Sequence, residues 1–435
     1  MKDISSKIKR FLFCIMLGLL LIPLIQSKFG FVKLASLQGA ISKPNKTYIN
    51  IKDWFSGDYQ LQEEKYLNAT FGFRNLFIRL HNQLAFSLFN VAKANGVIIG
   101  KNNYLFEENY IKAYYGSDFI GIDSITNRMQ KLKYVSDTLS KLNKTVIVVF
   151  AAGKGSFYPE FFPKKFISVK SQTNYGLYLK LANEYRLNYI DFHKYFIEHK
   201  TTSKYPLYPQ YGIHWSHYGM CIAADSIIKY IEKKRNIDMP NLFWNKIEMA
   251  DAKESDYDIA NGMNLCFKLK TFKMAYPVLQ FQNDSGKIKP NVLVVSDSYY
   301  WGMYNFGIAR TFSNNHFWFY NKQVYPEYFQ NGLETSQINL KDEIEKHDVF
   351  IIMATEATLP GFGWGFIENT YDLFKGIKKQ PAFDSIFNKK LINLRNYIKT
   401  DRNWLSHIEK KAIINKISVD SMITLDAIWQ LQHNK

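Results

Sequence analysis

The sequence is poor in cysteine and lacks internal repeats and low-complexity tracts. Its three cysteines, Cys14, Cys221 and Cys266, are too few in 435 residues for a disulfide framework. We therefore expect Cys221 and Cys266 to be buried thiols rather than a bonded pair. No segment recurs at a fixed period, which argues against a solenoid or propeller.

Acidic residues are also scarce relative to basic ones, with 38 Asp and Glu against 56 Lys and Arg and a net charge of +18. Such an excess is typical of nucleic-acid-binding proteins. However, the lysines are scattered, and no zinc-finger, RRM or helix-turn-helix signature occurs. We therefore predict no nucleic-acid binding, and an acidic polysaccharide or anionic lipid fits the charge better.

The N-terminus combines basic residues with an uncharged run. Lys7, Lys9 and Arg10 precede Phe11 to Ile25, where no charged residue occurs. This run has the length of a signal-peptide core, but no small-x-small cleavage site follows, and apolar residues resume over 29–32. We predict an uncleaved signal anchor over 1–32, with a cleaved signal peptide as the alternative. The positive-inside rule then predicts a single-pass protein of the inner membrane with its main domain in the periplasm.

Further along the chain, apolar patterns of helix and strand alternate. Residues 33–55 resemble a linker, residues 96–106 a hairpin, and residues 125–375 a succession of strands and helices. This alternation predicts an α/β fold with a mostly parallel sheet flanked by helices. We assign it to one domain over 56–378, with an irregular insertion at about 236–289 that contains hairpins near 261–270. A helical region over 379–435 follows.

The most informative segment is Asn291 to Trp301, a short apolar strand that ends at Ser296-Asp-Ser298. The following segment, Tyr299 to Arg310, is predicted to be a helix. A Ser between a strand end and a helix N-terminus is well placed for nucleophilic chemistry, because nearby backbone N–H groups can bind an oxyanion. The alternative is that Ser296 and Ser298 only cap the helix.

A base for such a serine is offered by Tyr211-Gly-Ile-His-Trp-Ser-His217. His214 lies where a loop enters a helix, and a neutral imidazole can accept a serine proton. The alternative is a capping or solvent-facing histidine. His214 and His217 are three residues apart, but they lack an acidic ligand nearby, and we predict no metal site.

Several segments, in this order, resemble the alginate O-acetyltransferase (AlgX/AlgJ-like) family, whose domain is SGNH-hydrolase-like. They are Trp54–Gln60 through Tyr66–Arg74, Gly100-Lys-Asn-Asn-Tyr-Leu-Phe106, Ala152-Gly-Lys154 with Tyr158-Pro159, His214-Trp-Ser with Gly219, and Ser296-Asp-Ser298. The resemblance covers roughly residues 50–375.

The resemblance implies that Ser298 is the nucleophile, carries an acetyl group, and passes it to a hydroxyl of an exported polysaccharide. His214 would be the general base, and no cofactor is expected. The acetyl donor would be a membrane-bound O-acyltransferase, because acetyl-CoA is absent outside the membrane. A carbohydrate acetylesterase would use the same chemistry as far as the acyl-enzyme.

The sequence departs from the family pattern at Gly212, where the family has the Asp of its triad. A non-catalytic glycan-binding or assembly protein on the same fold is therefore a further alternative. If the chain is an enzyme, we predict Glu356 as the substitute acid, because its strand end neighbours that of Ser298. Asp297 and Asp191 are weaker candidates, and Asp297 equally suits bracing the turn. Candidate substrate-binding residues are Lys154, Trp215, Tyr299 and Trp301, although aromatic side chains more often pack in a core.

Overall fold

The computed structural model describes residues 2–39, 44–283, 285–377, 385–415 and 419–433. The chain divides into two compact units, Met1–Asn369 and Thr370–Lys435. The predicted boundary between 378 and 379 lies outside the described residues.

The first unit begins with a long helix, α1 (Lys2–Phe29). Its segment Ser6–Phe29 has 24 residues, with a mean hydropathy of 2.2 over the most apolar 18, and is long and apolar enough to cross a membrane. At 1.5 Å per residue it spans about 36 Å, against about 30 Å for a bilayer core. Residues 30–39 and 44–50 contain neither helix nor strand. Three helices follow: α2 (Ile51–Ser56), α3 (Asp58–Thr70) and α4 (Arg74–Phe89). The predicted linker over 33–55 thus already contains most of α2.

The predicted hairpin is present as β1 (Val97–Ile99) and β2 (Leu105–Glu107), which pair antiparallel. The elements up to the predicted insertion are α5 (Glu108–Tyr115), α6 (Ile122–Lys141), β3 (Thr145–Ala151), α7 (Lys154–Phe157), α8 (Asn174–Glu184), β4 (Tyr189–Asp191), α9 (Phe192–Glu198) and α10 (His217–Arg235). The later elements are β5 (Leu242–Ala250), α11 (Asp258–Gly262), β6 (Met274–Phe281), β7 (Asn291–Ser296), α12 (Tyr300–Asn305), β8 (Asn314–Phe319), β9 (Gln323–Tyr325), α13 (Tyr328–Asn331), α14 (Leu340–Lys346), β10 (Val349–Thr355) and α15 (Phe366–Phe374).

A six-stranded sheet in the order β4-β3-β10-β7-β8-β9 forms the centre of this unit. Its first five strands are parallel, and β9 pairs antiparallel with β8. The three central strands β3, β10 and β7 are buried almost throughout, as expected for parallel strands covered on both faces. Alternate residues such as Val292 and Val294 join the main hydrophobic core, to which α10 contributes Ile227 and Ile231. The α/β fold with a mostly parallel sheet is as predicted.

The predicted insertion over 236–289 is more regular than expected. β5 and β6 form a two-stranded antiparallel sheet, with Leu242 opposite Phe281 and Ala250 opposite Met274. The predicted hairpins near 261–270 are wrong, because that segment ends α11 and then connects the two strands. The strand β5 was not predicted, because most of its side chains are exposed or half-buried and its apolar and polar residues do not alternate regularly.

Two further differences concern the segment after Ser298. The predicted helix over 299–310 is short, since α12 ends at Asn305 and Gly307 adopts a left-handed φ of 92°. The strands β8 and β9 were not predicted, and they extend the sheet on the side of β7.

The second unit contains α16 (Ser385–Thr400), α17 (Arg402–Asn415) and α18 (Val419–His433). These three helices agree with the helical segments predicted for the C-terminal tail. They share a small core of Ile398, Ile408, Ile423 and Ala427.

Candidate active site

Three strands of the sheet end at one edge. Thr355 of β10 is in register with Ala151 of β3, and Met353 of β10 with Ser296 of β7. Ser298 lies two residues beyond the end of β7, in the turn that leads into α12. The sheet therefore presents Ser298 at its carboxyl edge, where parallel α/β folds bind ligands.

The loop between α9 and α10 carries His214 to this edge. Its imidazole Nε2 lies 2.9 Å from Ser298 Oγ. Two buried side chains hold the loop by its carbonyl groups. Lys154 Nζ donates to Gln210 O at 2.8 Å and to Gly212 O at 2.7 Å, and Tyr299 Oη donates to Ile213 O at 2.7 Å.

The other imidazole nitrogen of His214 contacts Asp258, a residue that the sequence analysis did not single out. Asp258 Oδ2 lies 2.6 Å from His214 Nδ1, and Oδ1 accepts hydrogen bonds from Ile213 N at 2.9 Å and Ile259 N at 2.7 Å. A hydroxyl, an imidazole and a carboxylate in this order can move a proton off the hydroxyl and stabilise the imidazolium.

The prediction that Glu356 replaces the missing acid is therefore corrected. Glu356 does follow β10 at the same edge, but its Oε1 accepts from Ser156 Oγ at 2.6 Å and lies 3.1 Å from His193 Nδ1. The Glu356 carboxylate thus interacts with Ser156 and His193. Among the described contacts it makes no hydrogen bond to His214, whose carboxylate partner is Asp258.

Gly212 has a steric explanation in this arrangement. A Cβ atom at this position would collide with the carbonyl oxygen of Ser255 and crowd Pro209. The segment that leads to Asp258 thus passes where a side chain at 212 would extend. The carboxylate next to His214 comes from that segment instead.

Asp258 also favours the protonated form of His214. Burial favours the neutral imidazole, but the neighbouring Asp258 carboxylate outweighs it and raises the pKa of His214 above its ordinary value. At the nearby His217, burial and the charge of Lys253 lower the pKa to about 4.

The two weaker acid candidates have structural contacts of their own. Asp297 is buried, and it accepts hydrogen bonds from Tyr299 N at 3.0 Å, Thr355 N at 2.9 Å and Thr358 Oγ1 at 2.6 Å. It braces the turn that presents the serine. Asp191 caps α9 through the backbone N–H of Lys194 at 3.0 Å.

A cavity of about 400 Å³ opens beside Ser298, and its lining includes four aromatic side chains, Trp215, Tyr299, Trp301 and Phe306. Of the predicted substrate-binding residues, Trp215, Tyr299 and Trp301 line it. The first two are only 2% and 1% exposed, so most of each ring packs in the core. Lys154 is completely buried beneath the histidine loop, and burial lowers its pKa to about 7. It is therefore not placed for direct contact with a substrate.

Two further residues near the site were missed from the sequence. Tyr320, directly after β8, lies near Ser298, and desolvation raises its pKa to about 12. Glu107 lies at the end of β2. Burial and the nearby Asp258 carboxylate raise its pKa, against the opposite effect of His214. Tyr320 follows a strand that was not predicted, and Glu107 lies in the predicted hairpin, to which no function was assigned.

A group with metal-ligand composition lies away from this edge. Ligand atoms of His316, Glu343 and His347 lie within 4.8 Å of one another. His316 already bonds Glu343 at 2.8 Å and Glu327 at 3.2 Å. These contacts form a partly buried network of histidines and carboxylates between β8 and α14.

Residues 97–258 match the family model of the SGNH hydrolase-like domain of the acetyltransferase AlgX. The resemblance found in the sequence is thereby confirmed over this range, which includes both His214 and Asp258, whereas Ser298 lies beyond it. No curated protein matches the chain.

Solved structures similar to the chain include the O-acetyltransferase domain of Pseudomonas putida AlgJ, with 15% identity and a TM-score of 0.42 over 64% of this chain and 99% of that one. Bacillus cereus PatB1 has 12% identity and a TM-score of 0.37 over 62% and 98%. Pseudomonas aeruginosa AlgX has 13% identity and a TM-score of 0.38 over 63% and 67%.

Proposed function

We propose that this chain, which carries an SGNH hydrolase-like domain of the AlgX type over residues 97–258, is an extracytoplasmic O-acetyltransferase. It transfers acetyl groups to hydroxyls of an exported polysaccharide through an acetyl-Ser298 intermediate. The observation that carries the proposal is the chain of contacts from Asp258 through His214 to Ser298, with distances of 2.6 and 2.9 Å.

In the first half of the reaction, His214 Nε2 takes the proton of Ser298 while Oγ attacks the carbonyl carbon of an acetyl ester. The C–O bond to the donor alcohol then breaks, and the imidazolium returns its proton to the departing oxygen. The backbone N–H of Ser298 and the Tyr320 hydroxyl are the donors that we propose for the oxyanion.

In the second half, a sugar hydroxyl occupies the place of the departed alcohol. His214 removes its proton, the sugar oxygen attacks the acetyl carbon, and the bond to Ser298 breaks as the serine regains a proton. The cavity of about 400 Å³ suits a sugar acceptor, because the half-buried rings of Trp301 and Phe306 can pack against the apolar face of a pyranose ring. With Asp258 beside His214, the glycine at 212 no longer argues for a non-catalytic protein.

The acetyl donor that we propose is a membrane-bound O-acyltransferase, and helix α1 would hold the domain beside it. A basic chain with a net charge of +18 also suits an acidic polysaccharide acceptor.

The direct test is to incubate the purified full chain with a chromogenic acetyl ester and measure alcohol release and the intact mass. We expect an adduct of one acetyl group on Ser298, which Ser298→Ala abolishes. Ser296→Ala is the matched control, because Ser296 is a fully buried serine two residues away. An unchanged adduct in Ser298→Ala would refute the proposal.

Adding oligosaccharides of different charge separates transfer from hydrolysis. A transferase yields acetylated sugar at the expense of free acetate, whereas an acetylesterase yields acetate irrespective of the sugar.

A further inference from the structure

Helix α4 has large apolar side chains on its exposed side, while two of its polar side chains contact the domain. The two polar side chains are those of Arg79, whose Nη1 donates to Leu265 O at 3.2 Å, and Asn82, whose Nδ2 donates to Met263 O at 2.8 Å. Asn82 is buried although it is polar. A surface helix normally turns its apolar side chains inward.

On the inner side of α4, Ala85 is buried and Phe86 packs against the main core, but four large apolar side chains face outward. Phe77, Leu80, Leu84 and Leu88 are 45%, 44%, 55% and 69% exposed. Their spacing of three, four and four residues aligns them on one side of the helix. We call these four residues the outer stripe of α4. A contiguous exposed stripe of this kind marks an interaction surface rather than scattered surface residues.

Helix α4 begins next to the apolar helix α1. The backbone of Gly72, just before α4, packs so tightly on Pro23 and Ser27 of α1 that a Cβ atom there would collide with both. The rings of Phe31 and Phe73 also meet edge to face, with centroids 6.0 Å apart. The start of α4 therefore lies beside the last turns of the apolar segment that ends at Phe29.

We propose that α4 lies in the outer surface of the lipid bilayer, with its outer stripe in the acyl-chain region. This inference rests on the proposed anchoring of the chain by α1. If α1 crosses the bilayer, the contact with Gly72 brings α4 to the level of its outer end. Lipid then covers the stripe, as it does in interfacial amphipathic helices. The helix would fix the height of the domain above the membrane, because its polar side holds residues 263–265, which directly follow α11 and its Asp258.

The test uses the full chain reconstituted into vesicles of phosphatidylethanolamine and phosphatidylglycerol. A nitroxide is attached at Leu84→Cys in a background without the reactive thiols of Cys14 and Cys266. Collisions with oxygen, which concentrates in lipid, are compared with collisions of a water-soluble nickel chelate. Leu17→Cys reports on α1, and Glu184→Cys, at the exposed end of α8, is the aqueous control.

We expect oxygen collisions to exceed nickel collisions at 84 and 17, and the reverse at 184. A label at Leu88→Cys should repeat the result at 84, since both belong to the outer stripe. If 17 is in lipid but 84 and 88 are aqueous, the inference is overturned while the anchor stands. If 17 is aqueous as well, the inference falls together with the anchor.

Dipolar coupling between labels at 84 in separate chains would instead identify a second copy as the occupant, and this too overturns the proposal. Because none of these readouts involves acetyl transfer, loss of the proposed activity and loss of membrane docking are distinguishable.

Discussion

Replacing Asp258 by Asn tests the proposed chain of contacts from Asp258 through His214 to Ser298 at the residue that the sequence did not indicate. The Asn side-chain oxygen can still accept the hydrogen bonds of Ile213 N and Ile259 N, which now measure 2.9 and 2.7 Å. The Asn amide, however, donates toward His214 Nδ1, where the carboxylate accepted. The imidazole proton then moves to Nε2, which faces Ser298 Oγ at 2.9 Å and can no longer accept the serine proton.

The same change in a Ser-His-Asp triad lowers kcat about 10⁴-fold, which corresponds to about 5.5 kcal/mol of transition-state stabilisation. We expect a loss of that order for Asp258→Asn in the rate of acetyl-ester cleavage. The wild-type rate should also rise with pH through the pKa of His214, which Asp258 holds above the ordinary 6.5. In the variant this rise should shift to lower pH, because burial is then opposed only by the weaker effects of Asp297 and Glu107 on the imidazole.

Asp256→Asn is the matched control. Asp256 is a buried carboxyl two residues away, with a pKa raised to about 7 by burial, and it accepts from His217 N at 3.2 Å rather than from His214. We expect its rate to stay within a few-fold of the wild type. If Asp258→Asn keeps more than a tenth of the wild-type rate, or if both variants lose the same amount, Asp258 does not orient the base.

Three further outcomes follow from buried contacts. Lys154→Met leaves the carbonyls of residues 210 and 212 without their donor, at about 1–3 kcal/mol each, so circular-dichroism melting should show a lower Tm and the ester assay a lower kcat. Gly212→Asp in an Asp258→Asn background should not restore activity, because a side chain at 212 collides with Ser255 O; recovery of the rate would contradict this packing. Glu343, whose pKa is lowered to about 2 by His316 and Lys346 against the effect of burial, should contribute at most about 3 kcal/mol of stability above its unfolded pKa of 4.5. That contribution disappears as pH falls from 4.5 toward 2, so denaturant unfolding of Glu343→Gln should differ from the wild type at pH 7 and converge with it in acid.

The parts of the fold that could be predicted are those in which local pattern and burial agree. The central strands are continuous apolar runs that are buried on both faces. Helix α10 carries a regular apolar stripe that faces the core. In each case the apolar pattern in the sequence matches the buried surface of the element. The strands β5 and β9 could not be found in this way, because β5 is largely exposed and β9 has only three residues.

In the candidate site, too, some residues could be predicted from local sequence pattern and others could not. Ser298 and His214 each lie beside a recognisable strand or helix boundary, so the sequence pointed to both. Asp258 begins a five-residue helix in a segment without periodicity, 44 residues from its imidazole partner. Only the packing of that segment over Gly212 brings the two together, and packing between distant segments leaves no local signal in a single sequence.

The steric role of Gly212 also matters for classifying related proteins. A screen that demands an acidic residue two positions before the histidine would discard this chain as degenerate. Here the glycine is instead what admits a second segment, which supplies the carboxylate from elsewhere. Relatives with a small residue at that position should be searched for an acid entering from the insertion before they are catalogued as catalytically dead.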